Sequence, residues 1–291
     1  MKKPVFYGAA TAIVTPFCDR ALDLAAFSRL LLRQLQAGIR TIVVTGTTGE
    51  ASTLTTDEKV LLWQLAVDTA GGKATVIAGI GTNNTAQSAE LARAAEQCGV
   101  DALLAVTPYY NKATQEGLYR HYVTLAEATS LPLITYNVPS RTGVELQAET
   151  CRRLSLHKNI AGIKEAGGNL TKLAHIRLLC GDDFPIWCGN DDQITASMAL
   201  GACGAISVLS NIRPEAVRTI CDSALEGDFR KSAEAQIAAL PLIDALFSEV
   251  NPIPVKAALA AEGLCEEELR LPLTPMSPAK RTALAEALHS F

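Results

Sequence analysis

The sequence predicts an α/β chain: a (β/α)8 barrel with a small helical extension at its C-terminal end. Three observations carry this. Short runs rich in β-branched residues alternate with amphipathic stretches of helical period, the pattern of parallel strands joined by helical crossovers. There are eight such runs, and each run with its helix takes about thirty residues, the repeat of a closed barrel. After Asn211 the runs stop, and proline-jointed helical sequence continues to Phe291. Barrels commonly reach roughly 250 residues as one unit, so the 291 residues are divided into a barrel over 1–225 and a helical extension over 226–291. A doubly wound open sheet is the alternative, but no G-x-G-x-x-G follows the first run.

In chain order the strands are expected at "TAIVTP" (11–16), "TIVVTG" (41–46), "TVIAGI" (75–80), "ALLAVTP" (102–108), "LITYN" (133–137), "AGIKEA" (161–166), "PIWCGN" (185–190) and "GAISVLS" (204–210). Between them, residues 23–37, 56–70, 85–98 and 116–129 read as helices, several opened by Asp or Thr caps and closed by glycine.

Composition removes several classes of function. Hydrophobic residues make up 48% and charged residues 19%, with a net charge of -4, which suits a large buried core. No basic field exists to attract nucleic acid or an anionic membrane, and no apolar run is long enough to cross a bilayer. The opening "MKKPVFYGAATAIVTPFC" imitates a signal peptide, but Pro4, Gly8 and Pro16 interrupt it and Phe17 before Cys18 makes a poor cleavage site. It reads better as a first strand, with the mature chain starting near Met1 in the cytoplasm. Cys18, Cys98, Cys151, Cys180, Cys188, Cys203, Cys221 and Cys265 are scattered without a C-x-x-C pair, and are expected to be small core residues in a reducing cytosol. His121, His157, His175 and His289 show no clustering, so no metal is expected.

In a barrel, chemistry gathers at the C-terminal ends of the strands. "GTTGE" (46–50) follows the second run, "TPYYN" (107–111) the fourth and "YNVPSRTG" (136–143) the fifth, while Lys164 ends the sixth in "NIAGIKEAGGNL". Alone, Lys164 reads as a lysine that snorkels to solvent or pairs with Glu165, and Tyr136 as a core aromatic. Together they lie one βα unit apart, at equal height on neighbouring strands facing one cavity. Desolvation disfavours the ammonium there, and the free amine is a nucleophile whose usual partner is a carbonyl carbon, giving a Schiff base. A tyrosine within reach can move the protons that step requires. Arg141 offers a fork suited to a carboxylate. The loop "GNDDQ" stands where barrels hold phosphate, and Asp191 and Asp192 are expected to repel a dianion there.

"GTTGE", "TPYYN", "YNVPSRTG", "GIKEA" and "NPIPVK", in this order from about residue 10 into the C-terminal helices, resemble the dihydrodipicolinate synthase family of pyruvate-dependent Schiff-base lyases. The resemblance implies that Lys164 forms the imine with pyruvate and that Tyr136 relays protons with Thr47 and Tyr110, the latter acting across a dimer contact. It further implies that Thr48 and the backbone at Ile206 hold the pyruvate carboxylate, that Gly189 lines the pocket, and that Arg141 meets the carboxylate of L-aspartate 4-semialdehyde. No cofactor is implied beyond the covalent pyruvate imine, and the expected assembly is a homotetramer made of two dimers. The implied place is the diaminopimelate route to lysine. N-acetylneuraminate lyase and keto-acid aldolases share the lysine and tyrosine, so "SRTG" is what separates the synthase reading from theirs. A non-catalytic keto-acid-binding barrel would not need Lys164, Tyr136, Thr47 and Tyr110 together. Asn190 departs from the aspartate that commonly follows the glycine. Members inhibited by lysine carry a glutamate where this chain has Gln87. With Gln87 neutral and Lys59 cationic nearby, inhibition is expected to be weak or absent.

Overall fold

A computed structural model describes residues 2–291. Eight parallel strands close on themselves, each hydrogen-bonded to the next: β1 Gly8–Ala12, β2 Thr41–Val44, β3 Thr75–Gly79, β4 Ala102–Val106, β5 Leu133–Asn137, β6 Ile160–Glu165, β7 Ile186–Cys188 and β8 Gly204–Ser207, with β8 returning to β1. A parallel strand covered on both faces reads as an unbroken apolar run, and these strands are buried almost throughout. Alternate residues divide between two cores. Ala10, Ile77, Leu104, Ile134, Trp187 and Ile206 fill the barrel interior, whereas Ile42, Val76, Leu103 and Ile163 pack outward against the helices.

Eight helices alternate with the strands: α1 Leu24–Gln36, α2 Thr56–Ala70, α3 Thr85–Gln97, α4 Gln115–Glu127, α5 Ala148–Ser155, α6 Leu170–Cys180, α7 Ile194–Ala199 and α8 Pro214–Leu225. Three more follow, α9 Phe229–Leu246, α10 Ile253–Ala261 and α11 Pro278–Ser290. Side chains satisfy the first free N–H groups of several helices. Asp23 accepts from Ala26 N at 2.8 Å, Thr55 and Glu58 form a reciprocal capping box on α2, and Asn84, Thr114 and Asn169 cap α3, α4 and α6. Gly71, in the left-handed region at φ 51°, closes α2.

Two expectations need correction. The first strand runs over Gly8–Ala12 rather than 11–16, and a short hairpin, Phe17–Cys18 with Ala21–Leu22, follows it. A Cβ on Gly204 would lie 2.0 Å from the Gly8 oxygen, so β1 and β8 meet at glycines too close for side chains, a signal that β-branched periodicity does not carry. Beyond Ala12 the chain turns to side-chain partners, Val14 N donating to Asn211 Oδ1 at 3.1 Å. The cysteines are not all core residues either: Cys151, Cys188 and Cys221 are buried, but Cys18 is exposed on the hairpin and the others are half-buried.

One mouth of the barrel is closed by apolar rings. Phe6, just before β1, stacks on Trp187 with ring centroids 5.1 Å apart, and Trp187 Nε1 donates to Phe6 O at 3.2 Å. The polar loops lie at the other end.

Candidate active site

Lys164 is 6% exposed. It pairs in register with Tyr136 on β5, and its Nζ lies 4.4 Å from the centroid of the Tyr136 ring. Among the described residues it makes no hydrogen bond or ion pair. Glu165 does not partner it, because successive strand residues face opposite sides. Glu165 instead accepts from Asn137 Nδ2 at 2.9 and 3.1 Å and from Gly167 N at 2.7 Å, and lies 3.3 Å from Lys172 Nζ. Gly189 makes room for the lysine: a Cβ there would fall 2.8 Å from Lys164 Cε and 2.7 Å from Ala166 Cβ.

Beside this pair opens a cavity of about 340 Å³, whose wall includes Thr47, Lys59, Tyr109, Tyr136, Val138 and Arg141. Tyr136 joins the lysine to the cavity. The Lys164 Nζ lies over the tyrosine ring, behind the wall that Tyr136 presents. Arg141 sits on a single helical turn, Pro139–Thr142, and its Nη2 donates to Asn251 O at 3.1 Å. Thr48 is buried, and its Oγ1 accepts from Asn251 Nδ2 at 2.9 Å. Ile206 is buried inside the barrel on β8. Tyr110 stands apart: it is 88% exposed on a left-handed backbone at φ 73°, and it does not line the cavity of its own chain.

The loop after β2 is held at both ends. Thr45 adopts φ 55°, donates from Oγ1 to Gly79 O at 3.0 Å and accepts from Trp63 Nε1 at 2.8 Å. Glu50, at φ 53°, turns a fully buried carboxylate onto Lys256 Nζ at 2.7 Å, and Lys256 also donates to Thr15 O at 2.9 Å. Arg270 N donates to the other Glu50 oxygen at 3.1 Å. Burial pushes the Lys256 ammonium below the usual lysine range, while the charge of Glu50 pulls it back up. Sequence reasoning quoted "GTTGE" and "NPIPVK" without assigning Glu50, Asn251 or Lys256 a role. The available signal was a charged residue inside the apolar run "IPVKAALA", the same kind of signal that singled out Lys164.

Asp191 behaves differently from its expectation. Its carboxylate is buried, and its Oδ2 accepts from Val208 N at 2.9 Å and Leu209 N at 2.7 Å. Burial pushes this carboxyl up, and bonds from Ser207, Leu209 and Val208 oppose that. The backbone donors after β8, the type that barrels offer to phosphate, are thus occupied by an internal carboxylate. Asp192 is exposed. Lys59, 7% exposed on the cavity wall, has no hydrogen-bond or ion-pair partner among the described residues, and burial pushes its ammonium down. Among the described residues no group of three or more His, Cys, Asp or Glu could hold a metal ion, and no helix is long and apolar enough to cross a membrane.

An eight-stranded parallel barrel with a buried, unpaired lysine beside a tyrosine at the strand ends belongs to the class of (β/α)8-barrel lyases. Within that class, residues 5–291 match the Dihydrodipicolinate synthetase family, and the chain belongs to it. It is 48% identical over 284 residues to the 4-hydroxy-tetrahydrodipicolinate synthase of Alkaliphilus oremlandii, covering 98% of each chain. The solved dihydrodipicolinate synthase of Thermotoga maritima superposes with a TM-score of 0.96 at 43% identity, over 98% of each chain. That of Aquifex aeolicus does so at 0.96 and 42% identity, over 98% of this chain and 97% of its own.

Proposed function

We propose that the protein is a 4-hydroxy-tetrahydrodipicolinate synthase, which condenses pyruvate with L-aspartate 4-semialdehyde through a Schiff base on Lys164. The observation that carries this reading is a nearly buried lysine with no ion-pair partner among the described residues, seated over a tyrosine that lines a cavity shared with Arg141. The catalytic barrel is residues 1–225 and the extension 226–291.

The amine of Lys164 attacks the keto carbon of pyruvate and water leaves, giving the imine. The imine loses a methyl proton to become an enamine, whose carbon attacks the aldehyde carbon of the semialdehyde. The amine of that substrate then displaces Lys164 and closes a six-membered ring. Tyr136, Thr47 and a Tyr110 reaching across from a second subunit move the protons. Thr48 and the backbone at Ile206 hold the pyruvate carboxylate, Gly189 keeps the space beside Lys164, and Arg141 takes the carboxylate of the semialdehyde, a charge-assisted pair. No cofactor takes part beyond the covalent imine. The working form is a cytoplasmic homotetramer built from dimers, serving the diaminopimelate route to lysine.

Borohydride reduction in the presence of pyruvate, followed by peptide mapping, tests the assignment. One reduced adduct on Lys164 is expected, and an adduct on another lysine, or none, removes it. Free lysine inhibits weakly or not at all, because Gln87 and Lys59 offer no carboxylate to an incoming ammonium. Initial rates at saturating pyruvate across rising lysine check this, and strong inhibition at sub-millimolar lysine would contradict it.

A further inference from the structure

We infer that Asn251 is a positioning residue that aims the two carboxylate holders of the site. This inference rests on the reading that Thr48 binds the keto acid and Arg141 the aldehyde substrate. Asn251 lies between α9 and α10, in the extension and not in the barrel. It is 6% exposed and reaches both holders at once. Its Nδ2 donates to Thr48 Oγ1 at 2.9 Å, and its main-chain oxygen accepts from Arg141 Nη2 at 3.1 Å.

The direction of the first bond matters. A hydroxyl has one proton to give and two lone pairs to receive. With an N–H filling a lone pair, the Thr48 rotor is fixed and its proton remains available to a substrate carboxylate. A side chain that accepted from Thr48 would consume that proton internally. The second bond holds the guanidinium through the backbone, so the Arg141 contact survives changes to the Asn251 side chain. A third observation separates this residue from an ordinary structural amide. Asn251 Oδ1 is buried with no hydrogen-bond partner among the described residues, whereas a purely structural buried asparagine usually has both ends satisfied. Its side chain is therefore engaged only through what it donates.

The test is Asn251→Asp, nearly identical in shape and opposite in hydrogen-bond direction. An ionised aspartate accepts from Thr48 and sets a negative charge beside the pyruvate carboxylate. At about pH 8 the half-saturating pyruvate concentration, read by borohydride trapping and by KM, should rise about ten-fold. It should recover only as the pH falls to about 4 and below, where the carboxyl regains a proton and can donate again. Wild-type protein that traps pyruvate, with an Asn251→Asp curve lying on top of it at every pH, overturns the inference alone. So does a loss that is independent of pH. Wild-type protein that traps no pyruvate overturns the keto-acid reading and this inference with it. Should Asn251→Asp fail to fold, Asn251→Ala decides. It frees the Thr48 rotor, and should raise the pyruvate half-saturation about five-fold, the worth of one neutral hydrogen bond, with kcat held. An unchanged value overturns the inference.

Discussion

His121 shows how burial alone sets the pH response of a single side chain. It is 4% exposed, its Nδ1 lies 2.9 Å from Thr85 Oγ1, and burial pushes its imidazole from 6.5 down to about 4. The folded chain therefore binds this proton less readily than the unfolded chain. Its contribution is complete above the unfolded value and is lost as the pH falls from about 6.5 towards about 4. The size is roughly 3 kcal/mol across that window. Urea unfolding of His121→Phe should show a flatter acid limb than the wild type between those pH values, and superimposable limbs would refute this. Lys164 and Tyr136 were legible in the sequence, because strand alternation and one βα repeat fix the face and height of each. The fold of the Lys164 ammonium over the Tyr136 ring was not legible, because it depends on the room left by Gly189 across the β6–β7 gap.

At the scale of elements, α10 and the segment at Arg270 brace a loop that belongs to the barrel. Lys256 and Glu50 form an ion pair with no exposed side-chain surface, seated beside the ring of Phe17, whose centroid is 4.4 Å from Lys256 Nζ. Removing one member of such a pair leaves an uncompensated charge and costs about 3–5 kcal/mol, whereas replacing both by apolar groups of similar size is often close to neutral. Lys256→Met should therefore lower the unfolding midpoint sharply. Lys256→Met with Glu50→Leu should recover much of it, and calorimetry of the three proteins checks the order. The eight strands could be read from sequence, the first with its bounds displaced, because a parallel strand buried on both faces is a local apolar run. The brace could not, because Glu50 and Lys256 lie far apart in the chain and meet only once the barrel has closed.

For the whole molecule, Tyr110 sets the question of assembly. A large aromatic that is 88% exposed, on a backbone at φ 73°, lies outside the cavity its own chain forms. Under the proposed function this side chain completes the site of a neighbouring subunit. Tyr110→Phe and Lys164→Ala subunits, each of low activity, should regain activity when dissociated and reassembled together. A monomer of full activity by sedimentation would contradict the shared site. The brace on the loop after β2 also bears on how the chain is made. Translation delivers all eight strands by Ser207, while Asn251, Lys256 and Arg270 leave the ribosome afterwards. A nascent chain thus holds every strand of the sheet before it holds the contacts that steady Thr48 and Glu50. The segment from Asn251 to Arg270, made after the sheet, is what finishes the site.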